Sequence, residues 1–276
     1  MATGKGRKRI KQNNIDMEIE KTTGTKSVNG ISMYYEIYGK GEIPLVLIHG
    51  GGSTIPSNFG NFIPYLAQNN KLIAVELQAH GRTGDRDAPE SFEQDANDVV
   101  TLLEQLDIAK ANFLGFSNGG TTTLHIAVRY PIVVNKIIVI SANYQKTGLI
   151  AGFYDGFGDA TLAHMPEGLK KSYLELNPDP AGLQNMFEKD KQRMLHYIDL
   201  SDDEIAGIKA DALLMLADRD VITPEHLVKM SRLIENSRLT ILPGIHGSMI
   251  GEICAPDINP KTLEFTAGLI ESFLHS

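Results

Sequence analysis

Residues 111–130 have the sequence ANFLGFSNGGTTTLHIAVRY, and this stretch decides the fold. Its first four residues, Ala111–Leu114, form an apolar run that predicts a buried strand, and Asn118–Tyr130 predicts a helix. The junction, Gly115-Phe116-Ser117-Asn118-Gly119, is a G-x-S-x-G pattern. Small residues on each side allow a sharp strand-to-helix turn, which would hold Ser117 in strained geometry with its hydroxyl above the sheet. The pattern therefore presents Ser117 as a candidate nucleophile.

Short β-rich runs alternate with amphipathic helical segments along much of the chain, and this alternation predicts an α/β fold with parallel β-α-β units. A turn at Asn29-Gly30 predicts a hairpin at the start, because both residues accept positive φ angles. The other predicted strands are Ile31–Tyr38, Leu45–Ile48, Leu72–Glu76, Lys136–Ile140, Ala212–Leu216 and Leu239–Leu242. The other predicted helices cover Ser91–Leu106, a segment opened by Thr223-Pro224-Glu225 with Thr223 as N-cap, and residues 260–274.

The alternation stops between residues 145 and 210. This segment has no strand-like run, is interrupted by glycine and proline, and carries six aromatic residues and three methionines. It is far longer than a crossover between neighbouring strands requires, so we predict an inserted helical cap. Most of its aromatic residues are expected to pack the cap onto the main domain, and a few to line a pocket.

Composition excludes several classes of function. The net charge of −8 argues against a nucleic-acid surface, although residues 1–14 carry five bases and no acid. We predict a disordered basic tail over residues 1–15, with an anionic partner as the alternative. No run is long enough for a membrane span, and a signal-peptide core is not evident. The single Cys254 excludes an internal disulfide and leaves the redox compartment open, so a cytoplasmic location is the default expectation, with secretion after signal removal as the alternative. No metal-binding spacing is present.

A serine hydroxyl needs a base within hydrogen-bond reach to act as a nucleophile. His246 lies in the loop after the last predicted strand, and Asp220 follows the strand before it. Because both loops lie at the carboxyl edge of the sheet, the imidazole is expected to reach Ser117 and to donate its other N–H to Asp220. Asp218 is the competing carboxylate, which we assign instead to capping a turn or pairing with Arg219.

The remaining histidines have weaker cases for acting as the base. His49 is expected to brace its own loop, and His80 and His125 are expected to be structural. His49-Gly50-Gly51-Gly52 directly follows a predicted strand and forms a flexible loop whose backbone can turn inward. The N–H groups of Gly51 and Asn118 are therefore predicted to form an oxyanion hole.

Residues 28–274 resemble the α/β-hydrolase fold. Five elements occur in the expected order: the HGGG loop at His49, the AHGRT segment at residues 79–83, GFSNG at Ser117, DRDVITP with Asp220, and His246. The resemblance is to the serine carboxylesterase and C–C bond hydrolase branch. It implies a mostly parallel sheet of about eight strands, a helical cap after the sixth strand, and hydrolysis without a cofactor. The expected domains are a core of residues 16–144 and 211–276 and a cap of residues 145–210.

These observations predict a serine hydrolase that cleaves small carboxylic esters through Ser117, His246 and Asp220. The partner would be an ester-like small molecule with an apolar group. Alternatives are a ligand sensor that keeps the triad without turnover, an acyltransferase, and a C–C bond hydrolase. The oligomeric state has no signature in the sequence.

Overall fold

The computed structural model describes residues 4–9, 18–256 and 258–276 of the 276-residue chain. Its centre is a nine-stranded sheet with the order β1-β2-β3-β5-β4-β6-β7-β8-β9. The first four strands of this order pair antiparallel, and every pair from β5 to β9 is parallel. The strands are β1 Gly4–Arg9, β2 Glu18–Val28, β3 Ile31–Tyr38, β4 Leu45–Ile48, β5 Leu72–Val75, β6 Ala111–Phe116, β7 Val134–Ile140, β8 Asp211–Arg219 and β9 Ser237–Ile245.

Helices cover both faces of the sheet, which confirms the predicted α/β class. Along β4, Val46 and Ile48 pack into one apolar cluster with α3 and α4, whereas Leu45 and Leu47 pack into a second with α1, α2 and α9. Successive side chains of a strand point to opposite faces, so a wholly apolar strand serves two cores. The helices are α1 Ile55–Phe59, α2 Ile63–Leu66, α3 Phe92–Gln105, α4 Asn118–Arg129, α5 Glu167–Leu176, α6 Pro180–His196, α7 Asp202–Ala206, α8 Pro224–Leu233 and α9 Pro260–Leu274.

Local signals in the sequence set several element boundaries. The predicted hairpin is confirmed, because Asn29 and Gly30 have φ angles of 43° and 89° between β2 and β3. Ser91 caps α3 by accepting from Gln94 N–H, and Thr223 caps α8 by accepting from His226 N–H. Such caps satisfy N–H groups that the first helical turn leaves unpaired.

The amino-terminal segment differs from the sequence prediction. Residues 4–9, expected within a disordered tail, form strand β1 and pair antiparallel with β2, while residues 1–3 and 10–17 lie outside the described residues. An edge strand requires only backbone N–H and C=O partners, so polar composition does not prevent this pairing. With β1 the described residues form nine strands, against an expected number of about eight, and the helical insertion follows the seventh strand in chain order, which is the sixth when β1 is left out.

The helical insertion, residues 145–210, lies between β7 and β8 and contributes no strand to the sheet, although the structure describes all of it. It contains α5, α6, α7 and three single turns of 3-10 helix at Lys146–Gly148, Phe157–Asp159 and Leu162–His164. Its own small apolar cluster joins Met165, Leu169, Tyr173, Leu183 and Met186 to Ala79 of the main domain. Within the described residues, none of the helices has the length and apolar content of a membrane span.

Candidate active site

Ser117 lies at the sharp turn between β6 and α4. Its φ angle is 54°, in the left-handed region that a residue with a side chain rarely adopts. The flanking glycines explain how the turn closes. A Cβ on Gly115 would lie 2.0 Å from Gly119 O, and one on Gly119 would lie 2.1 Å from Ile48 O. Any larger residue would therefore force this turn apart.

Asp220, His246 and Ser117 form a continuous hydrogen-bonded line. His246 follows β9, and its Nε2 lies 3.1 Å from Ser117 Oγ. Its Nδ1 lies 2.7 Å from Asp220 Oδ1, directly after β8. The Phe116 ring packs against the imidazole with 4.7 Å between centroids. The structure thus brings together the three side chains that the sequence singled out, in the arrangement needed for a base to take a proton from the serine.

The Asp220 carboxylate is held in its ionised form. Burial raises the pKa of Asp220, but its hydrogen bonds and charge interaction with His246 outweigh that effect, aided by Ser141 Oγ and the Ile222 N–H. The net result is a pKa below the ordinary value. Asp220 Oδ2 accepts from Ser141 Oγ at 2.6 Å, and Oδ1 accepts from Ile222 N–H at 3.2 Å. A fixed, charged carboxylate keeps the imidazole oriented.

Asp218, the competing carboxylate, is exposed, and its Oδ1 accepts a 2.8 Å hydrogen bond from Gly244 N–H. It therefore joins the ends of β8 and β9, whereas the carboxylate that contacts His246 is that of Asp220.

The glycine loop after β4 lies directly against the serine turn. A Cβ on Gly50 would lie 3.1 Å from Ser117 Cβ, and one on Gly51 would lie 2.6 Å from Asn118 Nδ2. In the described part of the chain, the N–H groups of Gly51 and Asn118 donate to no protein acceptor. Both donors are therefore available to a ligand beside Ser117.

His49 braces this loop, as expected from the sequence. Its Nε2 accepts from Leu77 N–H at 3.0 Å, and its Nδ1 lies 2.8 Å from Gly50 O. Burial lowers the pKa of His49 to about 3, and the neighbouring His80 acts in the same direction. A neutral ring with its proton on Nδ1 satisfies both contacts.

A buried ionic cluster, which no pattern in the sequence indicated, links the helical insertion to the glycine loop. Asp190 of α6 accepts from Gly52 N–H and from Arg193, and lies 3.4 Å from His80 Nε2. Arg193 also pairs with Asp95 of α3. Asp190 and Arg193 are three residues apart on α6, but Asp95, His80 and Gly52 come from distant parts of the chain, so the local spacing alone could not reveal the cluster. His80 was expected to be structural, and it contributes to this cluster.

A cavity of about 470 Å³ opens above Ser117. Ser117, Asn118, His246 and Asp190 lie at its polar end, and the remaining wall is mainly apolar. Three of the six aromatic residues of the insertion line the cavity, as do several methionines and leucines: Phe153, Phe157, Met165, Leu169, Met186 and Phe187. No group of three or more His, Cys, Asp or Glu that could hold a metal ion occurs among the described residues.

Comparisons with known proteins place this chain in a family. Residues 43–192 match the sequence model of the alpha/beta hydrolase fold. A human protein, serine hydrolase BPHL, is 28% identical over 234 residues, which cover 80% of this chain and 79% of the relative. Its mouse counterpart is 33% identical over 147 residues, covering 51% of this chain and 50% of the relative.

The solved structure of a meta-cleavage product hydrolase from Pseudomonas fluorescens IP01 superposes with a TM-score of 0.74. It is 19% identical to this chain, and the match covers 91% of this chain and 97% of that one. At this identity the likeness shows the shared fold.

Proposed function

The chain belongs to the alpha/beta hydrolase fold family, and from that membership we propose that it is a serine hydrolase that cleaves small carboxylic esters. The observation that carries the proposal is the hydrogen-bonded line from Asp220 Oδ1 through His246 to Ser117 Oγ, with distances of 2.7 Å and 3.1 Å. The human relative named as a serine hydrolase supports the same class of activity.

Acylation begins when His246 Nε2 removes the hydroxyl proton of Ser117 and Oγ attacks the ester carbonyl carbon. The negative charge that develops on the carbonyl oxygen is received by the N–H groups of Gly51 and Asn118. A donor of this kind contributes on the order of 3 kcal/mol to stabilisation of the transition state. Collapse of the intermediate breaks the ester C–O bond, and the departing alcohol takes the proton from His246.

Deacylation repeats the sequence with water. His246 removes a proton from the water, the resulting oxygen nucleophile attacks the acyl-serine carbonyl, and Ser117 recovers its proton as the acid leaves. Throughout both steps Asp220 stabilises the imidazolium ion and holds its orientation. The apolar wall of the cavity suits an acyl or alcohol group without polar substituents.

Labelling with a fluorophosphonate, followed by peptide mapping, tests the nucleophile. We expect one adduct on Ser117 in the wild type, no adduct in Ser117→Ala, and a normal adduct in Ser27→Ala, which alters an exposed serine of β2. Steady-state hydrolysis of p-nitrophenyl esters should fall by about 10³-fold or more in Ser117→Ala. Retention of a tenth of the activity would exclude Ser117 as the nucleophile.

The same assay separates an enzyme from the two other classes that share this fold. Multiple turnovers per protein molecule are expected for an esterase, whereas a ligand sensor would give one slow covalent event. An acyltransferase would form a new ester when an alcohol is added in place of water, which product analysis detects.

A further inference from the structure

We propose that Asp190 selects substrates by charge, so that the site hydrolyses esters with a neutral or cationic acyl group and rejects esters whose acyl group carries a carboxylate. This inference rests on the proposed esterase function and adds the class of acyl group that the site accepts. Two observations support it: the position of the Asp190 carboxylate and the arrangement of the charges around that carboxylate.

The Asp190 carboxylate lies beside the loop that faces Ser117. It accepts a hydrogen bond from Gly52 N–H, and a Cβ placed on Gly51 would lie 2.7 Å from Asp190 Oδ2. The same Cβ would lie 2.6 Å from Asn118 Nδ2, so the carboxylate and the residue after the nucleophile flank one glycine. Asp190 and Ser117 line one cavity. An acyl group bound at Ser117 therefore lies within the field of this carboxylate.

The positive partners of Asp190 lie behind it. The side chain of Asp190 is 12% exposed, whereas those of Arg193 and His80 are 1% and 0% exposed. Neither Arg193 nor His80 lines the cavity. The ion pairs therefore present their negative end to a bound acyl group, although the charges of the cluster offset one another at a distance.

Asp190 remains ionised in this position. Burial alone would raise the pKa of the carboxyl, but Arg193 and His80 act against it and hold the pKa well below its usual range. Protonation of Asp190 to accommodate a second carboxylate is therefore unfavourable. The electrostatic repulsion between two carboxylates at a given distance is several-fold larger in a partly desolvated cavity than in bulk water.

Among the described residues, the cavity offers an incoming carboxylate no lysine or arginine without a partner. Lys191 is the one lysine or arginine in its lining, and its Nζ lies 2.8 Å from Glu188 Oε2 and 2.9 Å from Ala160 O. His164 is exposed and accepts from Thr161 N–H through Nδ1, and His246 is committed to Asp220 and Ser117. A carboxylate that is buried without a partner loses its hydration and gains no interaction that compensates for this loss.

Three ethyl esters of matched length test the proposal by proton release at pH 7. Ethyl succinamate is neutral, monoethyl succinate carries a carboxylate of the same shape, and ethyl 4-aminobutanoate carries an ammonium group. For the wild type we expect kcat/KM for monoethyl succinate to be about tenfold or more below that for ethyl succinamate. The ammonium ester should be hydrolysed at least as well as the neutral one.

In the Asp190→Asn variant the difference in kcat/KM between monoethyl succinate and ethyl succinamate should become smaller or change sign, because Arg193 then lacks its nearest counter-charge. Glu175→Gln removes an exposed carboxylate of α5 in the same insertion, and it should leave the wild-type ratio unchanged. If Asp190→Asn does not fold, the wild-type series can still overturn the proposal, because equal hydrolysis of the carboxylate and amide esters would show that the site does not select by charge.

The outcomes distinguish the two proposals. Equal hydrolysis of the carboxylate and amide esters, with labelling of Ser117 intact, would overturn charge selection and leave the esterase function standing. No turnover of the whole series, together with no fluorophosphonate adduct on Ser117, would overturn both. A wild-type preference that persists unchanged in Asp190→Asn would assign the selection to another group and so contradict the role of Asp190.

Discussion

Ser141 Oγ donates a 2.6 Å hydrogen bond to Asp220 Oδ2, so the loop after β7 positions the carboxylate that follows β8. Ser141 is fully buried and has a φ angle of 53°, similar to that of Ser117 at the end of the neighbouring strand. Two adjacent strand ends thus hold serines in the left-handed region, one facing His246 directly and the other acting on it through Asp220. Ser141 does not line the cavity, which makes it a positioning residue.

Ser141→Ala should lower kcat on the order of tenfold with little change in KM, because it removes one hydrogen bond to a charged group that orients His246. The substitution keeps the Cβ atom and therefore the backbone conformation. Steady-state kinetics on a neutral p-nitrophenyl ester measures the effect, and Ser27→Ala serves as the control. An unchanged kcat would show that the Ile222 N–H and His246 suffice to hold Asp220.

Asp220→Asn should reduce kcat/KM by about 10³- to 10⁴-fold, since an amide cannot stabilise the imidazolium and favours the wrong tautomer of His246. The matched control is Asp218→Asn, two residues earlier on an exposed site, where we expect a change of no more than about twofold. Steady-state kinetics gives kcat/KM for both variants, and circular dichroism verifies that both are folded. A larger loss in Asp218→Asn would reverse the assignment of the two carboxylates.

Gly119→Ala should lower the free energy of unfolding by about 3 kcal/mol or more, because the added Cβ would lie 2.1 Å from Ile48 O and 2.5 Å from His49 O. Gly268→Ala is the contrasting substitution in α9, where no atom lies within 4 Å of the added Cβ. There alanine should raise stability by up to about 1 kcal/mol through its helix propensity. Urea unfolding of the two variants measures both changes in the free energy of unfolding. Equal changes in Gly119→Ala and Gly268→Ala would contradict the close packing of the serine turn.

His49 should make the protein less stable as pH falls. The folded state lowers the pKa of His49 from 6.5 to about 3, chiefly by burial. Below about pH 6.5 the unfolded chain therefore binds a proton that the folded chain refuses until about pH 3. The free energy of unfolding contributed by this group decreases by about 1.4 kcal/mol per pH unit within that window.

The His49→Gln variant isolates this contribution. Urea unfolding between pH 4 and 6 should show a shallower pH dependence in His49→Gln than in the wild type, while His164→Gln, at an exposed site, should retain the wild-type slope. Parallel curves for the wild type and His49→Gln would mean that the buried ring accepts a proton in the folded state.

The secondary structure around the site was largely predictable because its signals are local. Apolar runs of four residues such as Leu45–Ile48 gave a strand with the predicted bounds, and Ser91 and Thr223 cap the helices that they were expected to begin. The strand at Gly4–Arg9 was not predictable, since its pairing with β2 depends on backbone groups and leaves no hydrophobic pattern. The division into core and cap domains and the catalytic roles of the triad remain predictions for the experiments above.

The sequence by itself determined the strands from β3 to β9, the turn at Ser117 and the chain order of Ser117, Asp220 and His246, because strand periodicity and glycine placement act over a few residues. Only the tertiary structure decided which carboxylate contacts His246 and that Ser141 supports it. It also decided that Asp190 meets Gly52 across 138 positions of the chain. These contacts depend on how distant helices and loops pack, and the buried charges of Asp190 and Arg193 are tolerated because packing supplies their partners.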